Sequence, residues 1–416
     1  MTPLKGKSDL ISEVALADEN KPDSSAYSDT PDFLLFDEGS FFGFEKSRAR
    51  MWFDRLTLRQ QIMIVVSVTW IPMAILAAIQ GVGVGPTQPR SFLEDAGMYA
   101  RFFVALPILL VAPSKLAPRF QQIIQHFLSS DLVKETDRER FLAILTSTMR
   151  LRYSRVADWV CLAIAYGWSA LHVFLPALAP AISATWRATG PAGQQSLSLA
   201  AWYLVAISQP VYGFVVLHFL YRVGLWWRSL WMISRLDLQL RAAHPDGGGG
   251  LMFLGLGLRP CRWPAFALAT SLAGGLANVV LATGVSVVSF KYVIGVIAVV
   301  ITALFAGPLC FFSDQLKRTG FRASLSHDQA VQEQLRQFEQ KWIGQSAQAD
   351  MLAVQDFSAV IDLNATVEKA HQMGRLPFRR TQLLELLVAA LLPFLPVLAL
   401  QIPIKDLLTL VKQLLL

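Results

Sequence analysis

Several runs of close to twenty residues carry almost no charge, and these runs decide what the chain can fold into. A helix rises ~1.5 Å per residue, so roughly 20 apolar residues cross a hydrocarbon layer about 30 Å thick. Strands that cross a membrane alternate apolar and polar over about 10 residues, and these runs do not alternate. The expected fold is all-α, a polytopic transmembrane helix bundle of about six spans with a helical cytoplasmic layer. Composition agrees: 16% of residues are charged and 54% hydrophobic, against about 25% charged in soluble domains.

The spans are expected at 62–79, 102–112 (extended toward Met98 and Pro118), 156–178, 197–220, 263–285 and 288–312. The second is short and bears Pro107 and Pro113. A further apolar stretch, 383–400, is interrupted by Pro393 and Pro396, so a seventh span and a re-entrant or interfacial segment both stay open. Residues 1–49 are polar, rich in Ser, Asp and Pro, and read as a disordered cytoplasmic tail. The bundle occupies 50–313, with helical cytoplasmic loops at 115–155 and 222–262. A cytoplasmic helical region follows at 314–380, and a hydrophobic to amphipathic segment at 381–416.

Lys and Arg beside the spans set the orientation. Arg119 to Arg155, Arg222 to Arg262, and Lys317, Arg318 and Arg322 fall on the side of the amino terminus; the opposite loops hold only Arg90, Arg187 and Lys291. The amino terminus is therefore expected in the cytoplasm. The net charge of +7 reports this topology and is not gathered into one stripe, so no nucleic-acid partner is expected. The partners the pattern allows are the lipid bilayer, a second copy of the chain and a cytoplasmic protein.

No cofactor or metal is expected. Cys161, Cys261 and Cys310 are too scattered for a disulfide framework or a metal knuckle, and read as buried free thiols. Zinc-enzyme, nucleophile-elbow and paired-carboxylate signatures are absent from the sequence. What remains is polar groups inside spans, which are expensive in lipid and point to function. Gln209, Tyr212 and His218 lie in the fourth expected span and Asn278 in the fifth. Pro210 leaves a carbonyl open about one turn earlier, so Gln209 sits where a broken helix can line a cavity; the alternative is an ordinary membrane proline with Gln209 satisfied by a neighbour. His218, one turn before Arg222, more simply marks the inner headgroup boundary. Ser271, Gly274 and Asn278 share a helix face, which suits close packing with Asn278 as an interhelical hydrogen bond; pore lining is the alternative.

The most distinctive local sequence is His244-Pro245-Asp246 followed by Gly247 to Gly250. A phosphate loop would also need Gly-Lys-Ser/Thr, and Leu251 follows instead. A helix stop and tight turn, with Asp246 satisfying backbone amides, is the plainer reading; a binding or gating role for His244, Asp246 and Gly247 is the sharper one.

This loop, preceded by Leu236-Asp237-Leu238 and joined later by Met373-Gly374-Arg375-Leu376-Pro377-Phe378, resembles a family of uncharacterised bacterial multi-spanning membrane proteins. The likeness covers roughly residues 60–416, implies a bacterial inner-membrane location and supplies no mechanism. Three functions stay in play. A channel or transport component fits the Pro- and Gly-bearing spans best, and a membrane-anchored interaction or signalling protein would use the cytoplasmic helices. An enzyme acting on lipid headgroups would have only His244 and Asp246 as an acid–base pair.

Overall fold

The computed structural model describes residues 35–36, 56–83, 91–174, 186–189, 196–342, 367–369, 371 and 373–399. It is a helical membrane protein with almost no strand. Helix α1 (Leu58–Ile79) begins at Thr57, whose hydroxyl accepts from the Gln60 amide while Gln60 Oε1 accepts from the Thr57 amide. Its buried residues Val65, Thr69, Met73 and Ala77 recur every four positions. The opposite face bears exposed Met63, Val68, Ile71, Ile75 and Ile79. A helix that is apolar on both its buried and its exposed face belongs in lipid.

Helix α2 (Ala96–Ser129) runs through Pro107, Pro113 and Pro118 without stopping. The second expected span and the first part of the helical loop expected at 115–155 are thus one helix. Next come α3 (Glu135–Arg152), α4 (Arg155–Phe174) and α5 (Leu199–Ile233). Between α4 and α5, β1 (Ala188–Thr189) pairs antiparallel with β2 (Ser196–Leu197). Helix α6 (Leu258–Thr283) ends at Gly284 in the left-handed region at φ 66°. A short turn capped by Ser286 leads into α7 (Lys291–Ala306), and one more turn leads into the long α8 (Ser313–Trp342). Helix α9 (Arg380–Leu391) continues through Leu392–Phe394 to Ala399.

Six helices among the described residues are long and apolar enough to cross a membrane, and they are not quite the expected six. The segment Arg380–Ala399 is one of them: Pro393 and Pro396 fall where the helix tightens into a short turn and resumes, so they do not end it. The expected span at 156–178 is the 20-residue helix α4, and residues 175–178 lie outside the described set. Cys161 and Cys261 are buried as expected, but Cys310 is exposed in the turn that follows α7.

Helix α6 is the hub. It packs against α2, α7 and α9, while α5 carries α1, α3 and α4. Small residues make the hub possible. Ala265, Ala269, Ala273 and Ala277 are all buried, and Gly97 and Gly274 let α2 and α6 approach so closely that a Cβ on Gly274 would lie 3.1 Å from the Gly97 Cα. In lipid, where apolar tails compete for every apolar face, such backbone proximity replaces the hydrophobic effect as the glue.

Two residues from the stretch read as a disordered tail are described, and both are buried: Leu35 and Phe36 sit inside the bundle at 0% and 1% exposure. The tail composition hides this anchor, because two apolar residues among polar ones carry no periodic signal.

Gly274→Val places a branched side chain against Ala100 and Gly97. The expected cost is about 1–3 kcal/mol of overpacking, read as a lower thermal midpoint in detergent. Gly275→Val, where a Cβ meets open space, leaves the midpoint near wild type.

Candidate functional site

Two of the proline-bearing spans, α2 and α5, carry the same local device. In α2 the turns over Ala100–Ala105 widen into π-helix just before Pro107; in α5 those over Leu204–Ser208 do so just before Pro210. The register follows from the bonds: Leu106 N–H reaches the Arg101 carbonyl, and Gln209 N–H reaches the Leu204 carbonyl, five residues back in each case. A proline in that register leaves open the carbonyl five back rather than four. In α5 this is Val205, and Ser169 Oγ of α4 donates to it at 2.8 Å. The open carbonyl expected near Ala206 is thus shifted by one residue and satisfied by a neighbouring helix.

The widened turns face each other. Arg101 Nη1 donates to Gln209 Oε1 across a long 3.4 Å. One turn along α5, buried Tyr212 hydrogen-bonds Ser271 of α6 through their hydroxyls, and its ring meets Phe102 edge-on at 6.1 Å. Arg101 is part-buried, and among the described residues Gln209 is its hydrogen-bond partner and no carboxylate lies within ion-pair distance. A guanidinium carries five N–H donors, so most of its capacity is unmatched among the described residues.

Toward the nearer end of the bundle, Asp95 caps α2 and collects donors from four directions. Its Oδ1 accepts from Asn278 Nδ2 at 2.6 Å and from the Met98 amide at 3.1 Å. Its Oδ2 accepts from Trp186 Nε1 at 3.1 Å and from Arg187 Nη2 at 3.2 Å. Asp95 is 7% exposed, and this donor set holds it as a carboxylate. The expected interhelical bond of Asn278 is therefore made, and its acceptor is Asp95. Ser271 and Asn278 lie about 10 Å apart along α6, so the two clusters form one polar column between α2, α5 and α6.

His218 stands apart from that column. It is buried at 4%, with Nδ1 3.4 Å from Asp158 Oδ1 of α4 without an aligned hydrogen bond. Arg222 and Arg152 are buried beside it. The side chain of His172 lies outside the described set.

The His244–Gly250 loop is a third place again. Asp246 Oδ1 accepts from the Gly248 and Gly250 amides at 2.8 and 3.1 Å, and Oδ2 from Met252 at 3.1 Å. Three left-handed glycines, Gly247, Gly249 and Gly250, make that wrap possible. His244 Nδ1 contacts Asp246 Oδ1 at 2.9 Å. With both its oxygens engaged, Asp246 organises the turn. The later motif closes on it: the Gly374 amide donates to the Gly247 carbonyl at 2.7 Å, and Met373 lies over Gly249.

The sequence reading missed Arg101, Asp95, Trp186 and Arg187. Arg101 had a usable signal, since it sits within the extension of the second span toward Met98, where an ionisable residue points to function. Comparisons with family models, curated proteins and solved structures return no match, so the site rests on its own geometry.

Burial pushes the Asp246 carboxyl up, but the Gly248, Met252 and Gly250 amides together with His244 outweigh it and hold the group below the usual carboxylate range. A depressed folded value means stabilisation that is present above the unfolded value, about 3.9, and is lost as pH falls through the lower folded value. Asp246→Ala is expected to lower stability by about 1–3 kcal/mol at neutral pH. Thermal unfolding between acid and neutral pH checks this, and the gap between variant and wild type narrows toward acid.

Proposed function

We propose that the protein is a transport component of the bacterial inner membrane, with its amino terminus in the cytoplasm, that passes small anions through a site at Arg101. The observation that carries this is a guanidinium inside a membrane helix whose described hydrogen-bond partner is one amide at 3.4 Å. Placing an arginine inside a span is costly, about 2.5–3.5 kcal/mol at the helix centre and less toward its ends, and such a group is retained where it pairs or serves a pathway. A carboxylate or phosphate-like oxygen is its natural complement, through short charge-assisted hydrogen bonds.

The surroundings support the same reading. Tyr212 and Ser271 offer hydroxyls, and Gln209 offers an amide, all on elements adjoining the π turns. Such turns in otherwise regular helices are frequent at functional sites. Along the column two guanidiniums, Arg101 and Arg187, accompany one carboxylate, Asp95, so the local charge favours anions. The His244–Asp246 loop offers no comparable opening, because the Asp246 oxygens are engaged by backbone amides.

The test is reconstitution into liposomes, with flux of chloride, phosphate and acetate measured in turn. Arg101→Gln is expected to lower the transported flux by about tenfold or more, the loss of a charge-assisted bond worth ~1.5–3 kcal/mol, and Gln209→Leu by several-fold. Flux of all three anions at the level of empty liposomes, or flux indifferent to Arg101→Gln, would overturn the proposal. The orientation has its own check. In a cysteine-free background, Glu139→Cys is expected to react with an impermeant maleimide only from the cytoplasmic face.

A further inference from the structure

Two motifs that the transport reading leaves without a task, the glycine loop after His244 and Met373-Gly374-Arg375, meet at one place in the fold. The Gly374 amide bonds the Gly247 carbonyl at 2.7 Å, so Met373–Arg375 lies along the loop. Small residues on both sides permit that approach. A Cβ on Gly249, itself left-handed at φ 64°, would fall 2.7 Å from Met373 Cε, and one on Gly374 would fall 3.3 Å from the Gly247 oxygen. Met373 also meets α8, with its sulfur 3.5 Å from where a Gly320 Cβ would stand.

Between this segment and α8 lies a cavity of about 390 Å³, within the roughly 300–1,000 Å³ of small-molecule sites. Lys317, Phe321 and Ser324 recur every three or four residues, so one face of α8 forms one wall. His371, Met373 and Arg375 form the other. Lys317 stands about 15 Å past the last residue of α7, beyond the apolar run of that span. The charges are one-sided: Lys317 and Arg375 line the cavity, and no Asp or Glu does. Their neighbour Arg318 pairs with Asp314 at 2.8 Å, whereas among the described residues Lys317 and Arg375 have no ion-pair or hydrogen-bond partner. Asp328 stands outside the lining and holds His371 through Nε2 at 3.3 Å.

Two partnerless cations, one from each wall, suit a doubly charged group between them. A planar guanidinium takes two oxygens of a phosphate at once, and an ammonium takes another as a point charge. Phe321, Met373 and Leu316 add apolar surface that a bare ion does not use. We infer that this cavity binds a phosphate monoester with an apolar or aromatic body, its phosphate between Lys317 and Arg375 and its body against Phe321 and Met373. The glycine loop is a positioning element, fixing the wall that carries Arg375. The chemistry is shared by a soluble ester and by the headgroup of a phosphatidic acid. The inference does not rest on the anion reading, because the cavity lies outside the column of Arg101.

Phenyl phosphate is titrated calorimetrically into the full chain in an uncharged detergent, beside inorganic phosphate. Retention of a fluorescent phosphatidic acid against phosphatidylcholine is measured in nanodiscs. Lys317→Ala and Arg375→Ala are each expected to weaken binding about tenfold or more, which corresponds to ~1.4 kcal/mol. Both side chains are exposed, so neither change reaches the core. Arg101→Gln is expected to leave this binding unchanged. Phenyl phosphate binding that falls with the two cavity substitutions supports a soluble ester. Phosphatidic acid retention that falls with them, without phenyl phosphate binding, supports the headgroup. Binding of neither probe, or binding indifferent to both substitutions, overturns the inference. So does phenyl phosphate binding no tighter than inorganic phosphate, or binding abolished by Arg101→Gln, which would put the ligand in the column.

Discussion

The bundle depends on how closely α2 can approach α6. In water, two apolar helix faces associate because solvent excludes them; in lipid that drive is absent, and contact has to come from packing and hydrogen bonds. Gly97 and Gly274 remove the side chains that would hold the backbones apart, and Asn278 then reaches Asp95 at 2.6 Å. A methyl group at Gly97 would fall 2.7 Å from the Asn278 amide nitrogen. Packing and polar contact are thus one feature, and Trp186 and Arg187 join the same carboxylate from the segment that follows α4.

That anchoring gives the π turns a fixed frame. Wide turns are poor hydrogen-bonding structures on their own, and the one in α5 is tied from outside. Ser169 donates to Val205, Ser208 donates to the Thr69 carbonyl at 2.6 Å, and Tyr203 donates to the Val68 carbonyl at 2.8 Å. Two prolines, Pro107 and Pro210, set where the widening occurs, and the widening in turn sets which side chains face inward. Arg101 and Gln209 meet because their helices are irregular at matching places.

Much of the architecture was legible in the sequence, because apolar runs of span length with no alternation leave few alternatives. The face shared by Ser271, Gly274 and Asn278 followed from helical spacing, and both of its polar members bond neighbouring helices. The rest depended on partners that spacing cannot supply. Asp95 was not singled out, since nothing local announces that Asn278, far along the chain, will reach it. Leu35 and Phe36 were invisible because a two-residue anchor has no period. The segment Arg380–Ala399 looked ambiguous because its prolines suggested a break, whereas they fall at a tightened turn that a helix tolerates.

The placement of α9 has a consequence for how the molecule is made. This helix packs on both α6 and α7, with Leu386 and Ala390 fully buried, and Gly374 just before it bonds the Gly247 loop. Translation delivers α9 long after the hub it covers has entered the bilayer. Until then α6 and α7 present to lipid a face built for protein, and the Gly247 carbonyl lacks the Gly374 amide. Closure of the hub therefore waits on α9, and a ribosome that stops short of Arg380 leaves a hub with one side unclosed.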